Sequence, residues 1–177
     1  MAVYTKLSEN QLKDFFSKYN VGRLLNYKEI KEGIENTNYF ILMQKGKFIL
    51  TLYEKRIDEK DLPFFMSLMR NLSDKNFPAP EPIINKNGNY ISEVSKKKAA
   101  VVSFLDGAAK KILNPENCYE VGIYTAKLHT ITKDMIGKRE NKLSVNSWRK
   151  IYDKVKKDCN KIHPNLAKVV EKILDET

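Results

Sequence analysis

The chain has 177 residues, 42% hydrophobic and 31% charged, with 32 basic against 22 acidic side chains and a formal charge of +10. That is long and apolar enough for one cored domain, or two lobes sharing a cleft, and excludes a disordered chain. Lysine is spread among acids and clusters only at 96–98 and 154–161, so the charge reads as a solvated surface and not a nucleic-acid face, and no segment approaches the ~18 apolar residues of a membrane span.

Near the start, Ser8 with Gln11 three residues on forms a capping-box pattern ahead of Leu12, Phe15, Phe16 and Tyr19 at helical spacing, which predicts a short amphipathic helix. LLNYKEIK (24–31), NYFILMQ (38–44) and KFILTLYEKR (47–56) then read as three strands, the last two joined by a tight turn at QKGK. Between the first two lies GIENTNYFI (33–41). It holds more hydrogen-bonding groups than a plain hairpin turn needs, which predicts a loop that closes over something.

DLPFFMSLMRNLSDKN predicts a second helix, with Asp61 as N-cap, Pro63 in the first turn, and Phe65, Leu68, Met69 and Leu72 on one face. FPAPEP ends it, because the residue before each proline is pushed to extended geometry. Two more strands follow, from NYISEV and KKKAAVVSFLDG. Beyond a connector near FLDGAAKKILN the chain reads as helical.

Asn114 as N-cap and Pro115 at the first helical position precede Cys118, Val121, Gly122, Thr125, Leu128 and His129 at helical spacing. Trp148, Ile151, Tyr152, Val155 and Cys159 mark a second rear helix, with the first three expected in the core, and Leu166, Val169, Val170 and Ile173 mark a third. Cys118 and Cys159 fall on apolar faces with no Cys-x-x-Cys or His-x-x-x-His spacing, so both are expected as buried thiols and not as metal ligands. With no basic-then-apolar leader at the start, a cytoplasmic location is expected.

GIENTNYFI, GKFILTLYEKR, DLPFFMSLMRNL followed by FPAPEPI, AAVVSFLDG and VGIYTAKLHTIT arrive in the order of a protein-kinase-like fold. Together they resemble its small-molecule branch, which includes aminoglycoside and choline kinases. Within that branch the chain is similar to bacterial homoserine kinases of the aminoglycoside-phosphotransferase type, strongly over the first 130 residues and more thinly after His129. The resemblance implies an α+β fold. A small lobe of antiparallel sheet plus helices at 1–105 would bind nucleotide, and 106–177 would begin an incomplete helical lobe.

It further implies ATP as phosphoryl donor, Mg²⁺ held by residues beyond this chain, and L-homoserine as acceptor, giving O-phospho-L-homoserine on the path to threonine. The first hairpin of that fold covers the nucleotide phosphates. Gly33 would let the backbone come close, Asn36, Thr37 and Asn38 would bond phosphate oxygens or their own backbone, and Glu35 would orient the loop. Without the resemblance, the same loop is an ordinary polar hairpin.

Thr51 stands where kinases carry the lysine or arginine that pairs with phosphate, and no partner glutamate is evident on the next helix; Lys47, Lys55 and Arg56 are the candidate substitutes. Ser103, Phe104 and Leu105 align with the hinge whose backbone holds adenine, before Asp106 and Gly107 turn into the second lobe. His129 would be structural and His163, before Pro164, would cap a helix.

The aspartate that orients the attacking hydroxyl and the Mg²⁺ ligands of the fold have no counterpart: no HGD, HRD or DFG-like string occurs, so no catalytic residue is assigned. The chain is therefore expected to be an N-terminal portion that does not turn over alone. Other readings stay open. One is a different small-alcohol kinase; another is a shortened pseudokinase acting as a binding module, with homo-oligomers formed through the unfinished helical lobe.

Overall fold

The chain enters its first helix, α1 (Glu9–Phe16), through the predicted capping box: Ser8 Oγ accepts the Gln11 N–H at 3.3 Å, and Gln11 Oε1 accepts the Ser8 N–H at 2.9 Å. This computed structural model describes residues 3–54, 57–135, 137 and 139–177. Strands β1 (Leu24–Ile30), β2 (Thr37–Met43), β3 (Gly46–Leu52), β4 (Ile91–Val94) and β5 (Lys97–Ser103) form one antiparallel sheet in the order β1-β2-β3-β5-β4.

Period-two alternation decides what each face does. Thr37, Tyr39, Ile41 and Met43 are buried on β2 while the residues between them are only half-buried. With Phe48, Leu50, Leu52, Ala99 and Val101 they meet Leu12, Phe15, Phe16 and Tyr19, so α1 closes this face. The rings of Phe15, Phe16 and Tyr19 lie 5.3 to 5.8 Å apart, and each fully buried apolar side chain contributes about 1.5–3 kcal/mol.

The second face carries Asn38, Thr51, Ala100 and Ile91 in one rung and Phe40, Ile49 and Val102 in the next. Helix α2 (Leu62–Asp74) covers only the β4 end of it, where Leu62 shares a hollow with Ile91 and Lys98, and Met66 another with Tyr90 and Ile91. Asn38, Phe40 and Thr51 stay half-buried.

Local details differ from the sequence expectation. Asp61 does not cap α2 with its side chain; the chain enters through a 3₁₀ turn, Glu59–Asp61, and Asp58 Oδ1 accepts the Lys60 N–H at 3.1 Å one short turn earlier. The deepest positions of α2 are Leu62, Met66 and Leu72, while Phe65, Leu68 and Met69 are half-buried, a rotation of the apolar stripe toward the β4 edge.

Helix α3 (Pro115–Thr132) has its Asn114 cap and meets the segment that follows α2, through Phe77 and Tyr124, 6.1 Å between rings, and through Lys75 Nζ donating to Ile131 O at 3.1 Å. None of its residues is buried, and Cys118, expected as a buried thiol, is exposed because its stripe finds no cover. His129 is likewise exposed on α3.

Compactness divides the chain after Gly137, placing α3 with the sheet. The second unit, Lys138–Thr177, pairs α4 (Val145–Ile162) with α5 (Leu166–Asp175). Tyr152 is buried there, its hydroxyl donating to Ala167 O at 2.7 Å, and Cys159 is buried as expected. Trp148 and Ile151, expected in the core, remain 41% and 39% exposed, because two helices alone cover a single stripe. His163 forms the C-cap of α4.

Candidate functional site

The polar loop runs from Ile30, the last residue of β1, to Thr37, the first of β2, and Ile30 stands opposite Asn38 in the register. Gly33 adopts φ 112°, a region that favours glycine and lets backbone approach a bulky partner. Asn36 Oδ1 is buried without a hydrogen-bond partner. A buried polar atom left unmatched, as Asn71 Oδ1 also is, calls for a partner such as water or a bound group, and either end of the amide can serve, since oxygen and nitrogen are assigned from the network.

Thr37 and Asn38 cannot serve together, because neighbours on a strand point to opposite faces. Thr37 is fully buried on the α1 side. Its hydroxyl donates to Glu54 Oε1 at 2.8 Å and accepts the Tyr4 and Thr5 N–H groups at 2.9 and 3.2 Å. Asn38 instead looks onto the second face, where its Oδ1 accepts the Thr51 hydroxyl at 2.8 Å. Asn38 and Thr51 therefore share one end of the second face, and Thr37 anchors the end of the loop from behind.

At the other end of that face the hinge is stapled. Ser103 exchanges bonds with Glu81 (Ser103 N–H to Glu81 O at 2.8 Å, Glu81 N–H to Ser103 Oγ at 2.9 Å), and the Phe104 N–H donates to Lys47 O at 3.1 Å. The Phe104 ring meets Phe40 edge-on at 5.2 Å and lies under the Lys47 ammonium at 5.7 Å. Lys47 also pairs with Asp106 at 2.7 Å. With two amides taken, Leu105, 47% exposed, is the hinge residue whose backbone no partner meets among the described residues.

Lys47 is thus a hinge cation. It lies four residues along β3 from Thr51, ~14 Å at a strand's rise, beyond the reach of its side chain. Lys55 and Arg56 lie outside the described residues, and Glu35 is exposed on the loop.

Two ionisable groups near the loop are shifted. Burial alone would raise the Glu54 carboxyl, but hydrogen bonds from Thr5, Lys97 and Thr37 together with the Lys97 charge hold it below the usual carboxylate range. Burial pushes the Tyr53 phenol up to about 12, so it stays a neutral donor at physiological pH.

Among the described residues no three His, Cys, Asp or Glu side chains come close enough to hold a metal. The residues present do not fit a Mg²⁺ site. What they do offer is a glycine-bearing loop, an unmatched Asn36 Oδ1 and the exposed Leu105 of the connector.

The sequence model for APH, the "Phosphotransferase enzyme family", matches residues 26–175. The chain belongs to that family. It is 41% identical over 175 residues to a homoserine kinase of Beijerinckia indica, covering 99% of this chain and 54% of that protein. A homoserine kinase of Methylobacterium radiotolerans is 42% identical over 167 residues, covering 94% and 52%. The chain spans about half the length of the curated relatives it matches.

Among solved structures, the spectinomycin phosphotransferase APH(9)-Ia, in complex with ADP and spectinomycin, superposes with a TM-score of 0.58 at 11% identity, covering 98% of this chain and 60% of that one. A putative aminoglycoside phosphotransferase from Ralstonia eutropha gives 0.55 at 14% identity, covering 86% and 49%. These two share the fold, an antiparallel five-stranded sheet with helices in an α+β arrangement like that of protein kinases.

Sequence reasoning missed Tyr4, Thr5, Glu54 and Lys97, whose network holds the loop at 31–36 from behind. Strict alternation from Tyr39, Ile41 and Met43 back to Thr37 was the available signal that Thr37 faces the core.

Proposed function

We propose that this chain is the nucleotide-binding part of a homoserine kinase, which transfers the γ-phosphoryl group of ATP to the side-chain hydroxyl of L-homoserine in the cytoplasm, on the route to threonine. The observation that carries the reading is the identity of 41–42%, over 94–99% of this chain, to proteins named homoserine kinase. No helix among the described residues is long and apolar enough to cross a membrane.

In this reading the loop at 31–36 closes over the phosphates, with Gly33 giving backbone access and Asn36 and Asn38 donating amide hydrogens to phosphate oxygens. Glu35 orients the loop. Thr51 fixes the Asn38 amide, and Thr37 holds the loop's far end. Adenine lies along Phe40 and Phe104, with its edge on the Leu105 backbone and Ser103 setting the hinge. The division at 105/106 is functional: strands before it bind nucleotide, and helices after it begin the acceptor side.

Phosphoryl transfer of this kind would draw on Mg²⁺ to offset phosphate charge. The described residues bring together no cluster to hold it, and none of them is assigned to take the homoserine proton as its oxygen bonds to phosphorus and ADP leaves. The uncovered apolar residues of α3, Tyr119, Val121 and Ile123, suit a chain that continues into a larger helical lobe.

The test is a full-length protein containing this chain, assayed for ADP release with ATP, Mg²⁺ and L-homoserine, choline or spectinomycin. Homoserine should exceed the others in kcat/KM by on the order of 100-fold or more, the discrimination expected when a site must pair a substrate's polar groups. Equal or faster turnover of choline or spectinomycin would overturn the substrate assignment.

A further inference from the structure

Residues 4–7 run across the back of the loop and are tied there by six hydrogen bonds. Tyr4 Oη donates to Ile34 O at 2.6 Å, within the loop itself. The Tyr4 and Thr5 N–H groups bond Thr37 Oγ1, Thr5 Oγ1 donates to Glu54 Oε1 at 2.7 Å, and Tyr39 Oη both accepts the Leu7 N–H at 2.9 Å and donates to Thr5 O at 3.0 Å. Glu54 closes the network from β3's far side, its other oxygen 2.9 Å from Lys97 Nζ and its side chain 8% exposed.

We propose that this N-terminal segment is a strap, locked by Glu54, that positions the loop at 31–36 for the nucleotide's phosphates. The inference rests on the nucleotide reading of that loop and adds positioning residues to it: Tyr4, Thr5 and Glu54 touch no substrate and act through Ile34 and Thr37. The loop needs outside support. It is exposed from 31 to 35, Ile34 is 71% exposed, and Gly33 lowers its stiffness.

A strap of this kind restricts the loop before ligand arrives, so less order has to be created on binding. Its effect should be confined to ligands with phosphates. Adenosine, which uses only the hinge end of the face, is the internal comparison.

The experiment has two arms on the 177-residue chain. In the first, limited trypsin digestion measures cleavage after Lys31, in the loop, against cleavage after Lys161, at the end of α4, for the unaltered chain, Tyr4→Phe, Thr5→Val, Thr5→Ser and Glu54→Gln. Cleavage at Lys31 should rise by about three- to tenfold in Tyr4→Phe and Thr5→Val, the loss of one hydrogen bond, and more in Glu54→Gln. Thr5→Ser, which keeps the hydroxyl, should restore slow cleavage, and the Lys161 rate should not move.

The second arm titrates ATP and adenosine. The same three variants should lose about three- to tenfold in ATP affinity and none in adenosine affinity, with Thr5→Ser again like the unaltered chain. Unchanged cleavage at Lys31 in Tyr4→Phe, whose ring is exposed and whose folding is not at risk, would overturn the strap. Faster cleavage with ATP affinity unchanged, or equal loss for adenosine, would overturn its positioning role. An unaltered chain that binds adenosine and ATP equally would overturn the nucleotide reading of the loop, whatever the cleavage arm shows, and the positioning role with it.

Discussion

Tyr39→Phe removes one oxygen from the centre of the structure and tests how the front of the chain is held. Tyr39 is fully buried, and its hydroxyl satisfies two backbone groups, the buried Leu7 N–H and the half-buried Thr5 C=O. Phenylalanine fills the same space but leaves both groups unmatched. A buried polar group without a partner costs about 1–3 kcal/mol, and with Leu7 near the upper end and Thr5 near the lower the sum is about 2–4 kcal/mol.

Urea slopes for units of this size are about 1–3 kcal/mol per molar, so the midpoint should fall by about 1–2 M with the slope unchanged. The readout is amide hydrogen exchange in peptides from β2 and β3 across a urea series. Trp148 lies in the second compact unit, and its fluorescence reports that unit separately. A midpoint shift below about 0.3 M at constant slope would show that residues 5–7 are not held through Tyr39, and would refute the reasoning.

Gly22 adopts φ 81°, and a Cβ there would lie 2.8 Å from the Cβ of Gln44, so Gly22→Ala should destabilise the sheet unit by about 1–3 kcal/mol, read as a lowered Tm. Glu54 has a depressed folded-state pKa, so its network contributes stability that is present above the ordinary carboxylate range and lost as pH falls through the folded value; in acid titrations followed by circular dichroism, the unaltered chain should lose stability over that window and Glu54→Gln should be flatter. Cys118 is exposed and Cys159 buried, so a thiol reagent should modify one cysteine at once and the second only when α4 and α5 are unfolded by urea.

Period and punctuation made most of the fold legible. Ser8 with Gln11, and Asn114 with Pro115, announced their helices because a cap is satisfied within a few residues and owes nothing to distant packing. The strand runs likewise carried their own alternation. What the sequence could not show was where each stripe would find cover: Cys118 and Trp148 lie on apolar helical faces, yet α3 has no buried residue and α4 has one partner helix. The site divides in the same way. Gly33 and Asn38 were legible as loop and strand chemistry, whereas the Glu54 network joins Thr5, Thr37 and Lys97 across separations of 17 to 49 residues, which no local pattern encodes.

The absence of a lysine at position 51 and of a glutamate on α2 are one fact. In Leu62–Asp74 the only acid is the terminal Asp74, and it is paired with Arg70 at 2.6 Å. A half-buried lysine at position 51 would therefore face no carboxylate from this helix, and leaving one member of a buried ion pair without the other costs about 3–5 kcal/mol. Losing both members together avoids that cost. A neutral bond from Thr51 to Asn38 then occupies the position, and it ties β3 to the first β2 residue on the second face. Lys47 does not take the place of a cation at position 51, because it lies four residues along β3 and is bonded to Asp106. Under the proposed reading, this face contributes the Asn38 amide, braced by Thr51, to nucleotide binding.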